Sequence, residues 1–286
     1  MTFIKKVVQI EFVLPIFYMN QFKKIEDFIK FHRPIVMGAS IFSYICLVYA
    51  LTILPWTEYW KIFSVYYLVG CAEQLFHHRR FAHKSWHAPR WLDIIGLWIA
   101  NQSLLGNSIV FSAQHRLHHK FADTELDPHS PLYINKWKIQ FLYPYHNFSL
   151  KYAYDLLNDK IQIFFSKYGL LITACTWILI IMITSINWFL TIWMPGVALV
   201  VLIKNYLNSK LHGASKTLEN YRTQKLEDES NNNLFWGYFA FDGWHQNHHK
   251  MPNSWYLGRK WWEIDVPGII TALLSVMSFS FQNFKK

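Results

Sequence analysis

Cysteine is nearly absent: Cys46, Cys71 and Cys175 stand alone in apolar runs of a 286-residue chain. No CxxC pair exists, so neither a zinc ribbon, nor a cysteine-held iron–sulfur cluster, nor a dithiol redox module is built into the sequence. Charge is scarce as well, with 16% charged residues against 19% aromatic, a balance that fits one membrane-embedded unit better than two soluble modules. Acidic residues are the rarer sign, 18 against 28 Lys and Arg. Among them no Glu-x-x-His pair of the carboxylate-bridged di-iron bundles occurs, and no HExxH of the zinc peptidases. Internal repeats and low-complexity tracts are missing too. The net charge of +10 lies beside apolar runs rather than on a nucleic-acid-binding motif. It points to membrane orientation, anionic lipid and an anionic substrate head group, with no nucleic-acid partner. A secretory signal is not expected, because Glu11 interrupts the first apolar stretch and no small-residue cleavage site follows.

What the chain has instead is long uncharged runs. Residues 35–54 match the roughly 20 residues needed to cross a ~30 Å hydrocarbon core. After a short PWTEYW turn the run from Ile62 to Phe76 returns. The stretch from Gly169 to Ile203 is too long for one crossing, since 35 helical residues reach roughly 50 Å; Ser185, Ile186 and Asn187 supply a break. The expected fold is all-α, with four transmembrane helices in two hairpins, interfacial helices and a His-rich helical cap. Phe22 to Phe31, with apolar residues at helical spacing among lysines, reads as an interfacial amphipathic helix. Residues 91–112 are apolar but hold Asp93, Asn101, Gln102 and Ser103, and are expected to be re-entrant or interfacial, as is the run from Gly268 to Phe281. Residues 215–233 read as a mobile polar loop. The chain is thus one domain, 1–286: an interfacial segment (1–34), two spans (35–82), a cap or re-entrant part (83–168), two further spans (169–212) and a final cap (213–286). Lys5, Lys6, Lys23, Lys24, Lys30, Arg33, Arg79, Arg80, Lys84 and Arg90 all fall on one side, which the positive-inside rule makes cytoplasmic, together with both termini.

That side also carries three histidine clusters: HHRRFAH at 77–83, HRLHH at 115–119 and HQNHH at 245–249. Imidazole suits iron, zinc, copper or nickel, and ligands drawn from distant parts of one chain are what a multi-metal site requires. In the second and third clusters the histidines stand at i, i+3 and i+4, within one ~100° sector of a helix. His212 lies one turn beyond Asn208. The first cluster is less regular: His78 and His83, five apart, diverge by about 140° on an ideal helix unless it ends or bends between them. Spacing alone leaves His77, His78 and His87 open as partners of His83. His32, His87, His129 and His146 read as structural histidines. A His-rich transporter of zinc or nickel would place its histidines within the spans along a path, whereas these cluster after the spans.

HRRFAHKSW (78–86), HRLHHKFADTELDPHSP (115–131), NSKLH (208–212) and HQNHHKMP (245–252) closely resemble the four signatures of membrane fatty acyl desaturases, of the acyl-CoA delta-9 or stearoyl-CoA type and its bacterial relatives. GRKWWEID (258–265) is similar to the segment that follows the last box in bacterial members. The resemblance spans roughly residues 35–280. It implies nine iron ligands, His78, His83, His115, His118, His119, His212, His245, His248 and His249, with Asn208 binding through water. The implied cofactors are two Fe ions, with O2 as co-substrate, in a reaction that places a cis double bond in a saturated acyl chain. A hydroxylase on the same site is the neighbouring chemistry. No HPGG motif of a fused b-type cytochrome is present, so the implied electron donor is a separate b-type cytochrome, ferredoxin or similar protein. After DPHSP the chain reads LYINKWKIQFLYPYHNF, unlike acyl-CoA members, which leaves acyl-CoA, acyl-lipid and acyl carrier protein open as carriers. Asn205 stands where the family often has a tryptophan near the acyl tunnel.

Overall fold

The charge-free run after Arg33 forms the second half of a single long helix, α1 (Ile16–Ile53), in a computed structural model that describes residues 16–142, 149–212, 220–223 and 228–277. The expected interfacial helix over 22–31 is therefore not a separate element. It is continuous with the first span through Pro34, and most of its side chains lie outside the described residues. A 3-10 turn at Trp56–Glu58 leads into α2 (Tyr59–Ala72), which runs on as a π-helix over Glu73–Ala82. Then come α3 (Arg90–Ala100), a 3-10 turn (Asn101–Ser103), α4 (Ser108–Phe121), α5 (Lys136–Leu142) and a 3-10 segment (Leu150–Asn158). The chain continues with α6 (Lys160–Ile183), α7 (Ile186–Trp188), a π-turn (Phe189–Trp193), α8 (Met194–Lys210), α9 (Leu234–Phe239), α10 (His245–Lys250) and α11 (Val266–Met277). The described strands, Asn220–Tyr221 and Asn232–Asn233, form one two-residue antiparallel ladder within the expected polar loop. The rest of that loop (215–219, 224–227), His146 and residues 278–281 lie outside the described residues.

Among the described residues, three helices are long and apolar enough to cross a bilayer: His32–Ile53, Lys160–Ile183 and Ile186–Lys210. The break expected at Ser185–Asn187 is real. Ser185 caps the helix that follows by accepting from the Trp188 amide at 3.0 Å, so α6 ends and the chain reverses there. The second expected span, 62–76, is helical, but its α-helical part has only 14 residues, roughly 21 Å, and the π-helix supplies the remaining length. Over 91–112 the chain forms two helical arms, α3 with its 3-10 turn and α4, bent by 74°. Leu104 (φ 58°) and Gly106 (φ 87°) take left-handed backbone at the bend, and the Asn107 side chain caps α4 by accepting from Ile109 and Val110 amides at 3.1 Å.

α1, α2 and α8 share one core, built from Cys46 and Ala50, Ile62, Val65 and Val69, and Val197 and Val201. A second core joins the π-helix, α3, α4 and α6 around Phe76, Leu97, Ile109 and Phe165. The outward faces stay apolar: Ile45 and Val48 of α1 and Ile178, Met182 and Ile183 of α6 are exposed, and Trp56 and Trp60 stand out at the short turn. Such a surface suits acyl chains with an aromatic belt at the interface. Gly196 sets the α2–α8 approach. A Cβ there would lie 2.5 Å from Val65 Cβ and 2.9 Å from the Ile62 carbonyl, atoms that cannot move without displacing the helix. Gly196→Ala is expected to cost about 1–3 kcal/mol as overpacking, checked by the thermal midpoint of the detergent-purified protein; an unchanged midpoint contradicts the close approach.

Candidate metal centre

The nine candidate histidines converge from four elements. His78 and His83 come from the π-helix and its C-terminal cap, His115, His118 and His119 from α4, His212 from the residue pair after α8, and His245, His248 and His249 from α10. The divergence expected of residues five apart is removed by the backbone. The His83 amide donates to the His78 carbonyl at 3.0 Å, an i→i+5 bond that stacks a residue nearly above the one five before it. The two rings consequently meet at 4.9 Å between centroids.

Two groups result. His78, His83, His115, His119 and His248 form one, and His118, His212, His245 and His249 the other, with the ligand atoms of each group all within 4.8 Å of one another. His248 Nε2 lies 3.0 Å from His78 Nε2, 3.3 Å from His115 Nε2 and 2.8 Å from His119 Nε2, while His115 and His119 Nε2 are 3.1 Å apart. A neutral imidazole nitrogen carries either one proton or one lone pair, in the ring plane. Three such atoms in a triangle cannot all be satisfied by hydrogen bonds. Around a cation they can: metal–nitrogen bonds of about 2.1 Å place neighbouring donors about 3.0–3.4 Å apart. In the second group His212 and His245 Nε2 approach to 2.8 Å and His118 and His249 Nε2 to 3.2 Å. The donor set fits two metal ions.

The surroundings favour the neutral, ligating form of these rings, with His212 the exception. Burial pushes the His83 pKa down to about 3 and that of His245 to about 4, so both are neutral at any ordinary pH, as ligation requires. At His212 burial acts the same way but is outweighed by the hydrogen bond and charge of Asp123, and the net direction is upward. Carboxylates face the outer nitrogens of the second group: His118 Nδ1 meets Asp127 at 2.9 Å, His212 Nδ1 meets Asp123 at 2.9 Å, and His249 Nδ1 meets Asp228 at 3.1 Å. His245 Nδ1 lies 3.3 Å from Asp242. Each contact leaves Nε2 free to face the pocket.

Charged clamps hold the elements together. Arg79, one residue from His78, makes a bidentate pair with Asp265 at 2.8 Å for both bonds and donates to the Trp255 carbonyl at 2.6 Å. Arg116, next to His115, donates to the carbonyls of Phe81 and Ala82 at 2.6 and 2.7 Å and reaches Asp155. In α10, Asn247 donates to Glu263 at 2.9 Å. The GRKWWEID segment thus supports two boxes, through Asp265 and Glu263.

The remaining candidates fall where their roles differ. Asn208 is buried on α8, one turn before His212. His77 is fully buried against Phe111 and belongs to neither group. His87 is exposed, and His32 lines a cavity between α1, the α3–α4 bend and α6. His129 packs on His118, ring centroids 4.0 Å apart. By distance His118, Asp127 and His129 could also gather an ion, but His118 already divides its nitrogens between Asp127 and His249. The sequence reading missed the four aspartates, Arg116 and Arg79. An acid three residues before HQNHH (Asp242), and two more within eight of His119 (Asp123 and Asp127), were the available signal.

Comparison with known proteins follows the same lines. The family described as fatty acid desaturase matches residues 58–266. The chain belongs to the fatty acid desaturase family. Its members are oxidoreductases, and this chain is one of them, an enzyme of lipid metabolism. Among similar curated proteins, the delta-9 acyl-lipid desaturase 2 of Arabidopsis thaliana is 27% identical over 93% of this chain and 85% of its own length. The acyl-CoA C20 Delta5-desaturase of Anemone leveillei is 27% identical over 87% and 80%. The sn-1 stearoyl-lipid 9-desaturase of Synechocystis is 28% identical over 84% and 77%. All three desaturases are matched over most of their length.

Proposed function

We propose that this desaturase binds two irons, one in each histidine group, and uses O2 to place a cis double bond at the delta-9 position of a saturated acyl chain. The observation that carries the reading is the nine-imidazole pocket, divided five and four, with nitrogen separations suited to metal ligation. Asn208 completes the four-His group through a water. Reduced irons supply the capacity to activate O2 against an unactivated methylene. In balance, one CH2–CH2 unit, one O2, two electrons and two protons give one CH=CH unit and two waters. The chain's own residues orient and exclude: the surroundings favour the neutral form of every imidazole of the two groups except His212, Arg79 and Arg116 fix the elements that carry them, and the apolar cores shield the reacting carbons from water.

On the carrier, acyl-lipid is favoured over acyl-CoA. Two of the three relatives reported above are named for lipid-bound acyl chains, and the segment after DPHSP departs from the acyl-CoA pattern. Asn205, in place of the family's tryptophan, is fully buried and donates to the Gln140 carbonyl at 2.9 Å, tying α8 to α5. This supports a tunnel wall of different shape from that of the acyl-CoA members. Topologically, α1 with α2 and α6 with α8 serve as two hairpins, α3 and α4 as a re-entrant pair, and the histidine pocket and both termini face the cytoplasm. Electrons arrive from a separate donor.

Expression in a host deficient in unsaturated fatty acids is expected to restore growth and to yield monounsaturated chains with the double bond at carbon 9, located by mass spectrometry. A hydroxylated product would replace desaturation by the neighbouring chemistry, and no modified chain would remove the reading.

A further inference from the structure

The two metal positions differ sharply in what stands behind their ligands. Three of the four imidazoles of the four-His group share a hydrogen bond with a carboxylate at Nδ1, Asp127 behind His118, Asp123 behind His212 and Asp228 behind His249, at 2.9–3.1 Å, while Asp242 lies 3.3 Å from His245 Nδ1 without a hydrogen bond between them. Among the described residues, no carboxylate oxygen lies within 4 Å of a ring nitrogen of the five-His group.

The aspartates are not incidental neighbours. Asp123 also accepts from the Glu229 amide at 2.8 Å and Asp127 from the amides of Asp123 and His129 at 3.0 Å. Asp228 accepts from the Ser230 amide at 2.9 Å. These three carboxylates are therefore held in place from behind before any metal arrives. A carboxylate on the far nitrogen of a ligating imidazole fixes its tautomer and raises its basicity, and removing it typically lowers metal affinity by about 10–100-fold.

Resting on the two-metal reading above, we propose that Asp123, Asp127 and Asp228 act as positioning residues for the four-His position alone, so that the two metals are held by separable means. The five-His position gains its affinity from ligand number, and the four-His position from the negative charge on its outer nitrogens.

The test uses Co2+ as the probe with full-length apo-protein in detergent, counting bound ions against a competing chelator. Wild type takes two. Asp228→Asn keeps an oxygen for the Ser230 amide but loses the charge, and is expected to weaken one of the two ions at least 10-fold and leave the other unchanged; Asp228→Glu is expected to restore it. His83→Ala and His245→Ala assign the position. Asp228→Asn weakens the remaining ion in the His83→Ala background and has no effect in the His245→Ala background. If Asp228→Asn leaves both ions at wild-type affinity, or weakens both in parallel, the separation is wrong while the two-metal reading stands. A wild-type protein that takes fewer than two ions overturns that reading and this inference with it. Retention of the five-His ion serves as the folding control, which a generally disordered variant would not pass.

Discussion

Replacing His118 or His248 by alanine abolishes desaturation and lowers bound iron, whereas His87→Ala does neither. The expectation follows from what each imidazole touches. His248 Nε2 is within 3.3 Å of three other Nε2 atoms, so its loss opens the five-His group at its centre. His118 divides its nitrogens between Asp127 and His249, so its loss removes one ligand of four and strands a buried carboxylate. Either change exceeds the 10–100-fold affinity loss typical of removing only an outer partner. His87 is exposed and stands outside both groups. Iron analysis and product formation on membranes from an expressing strain check all three variants, and full activity in His118→Ala or His248→Ala would remove the assigned centre.

Asp265→Ala is expected to destabilise the protein by about 3–5 kcal/mol, the range for breaking a buried ion pair from one side. Arg79 and Asp265 are 1% and 2% exposed, and the carboxylate also accepts from the Leu257 amide at 2.7 Å and the Gly268 amide at 3.2 Å. Truncation leaves the guanidinium buried without its counter-charge. Removing both partners in Arg79→Met with Asp265→Asn is expected to recover part of the loss, because the uncompensated charge goes too. Denaturation of the detergent-purified protein measures both, and a single-variant change below about 0.5 kcal/mol, the range of ordinary surface substitutions, would show that the pair does not hold the π-helix to the C-terminal segment.

The spans and the boxes were legible for different reasons. Apolar length alone located α1, α6 and α8, and the break supplied by Ser185, Ile186 and Asn187 located the reversal, because both signals are local. The i, i+3, i+4 histidines of α4 and α10 were legible for the same reason. Two things were not. The pairing of His78 with His83 depends on a π-helix, whose i→i+5 register leaves no periodicity that an α-helical template detects, and it was the family resemblance that selected the pair. The continuity of α1 through Pro34 was also hidden, since lysines on one side and apolar residues on the other read as two elements although one helix carries both. Nor could local pattern pair Asp228 with His249 or Asp265 with Arg79, contacts that exist only once distant segments have met.

The π-helix carries a consequence for how the first box tolerates length change. Its register spends one more residue per closed ring than an α-helix does. Deleting a single residue between His78 and His83 would let the segment relax into the commoner geometry while turning the following chain, Arg116's carbonyl partners included, away from the pocket. The count of residues in that stretch is a dimension of the histidine pocket.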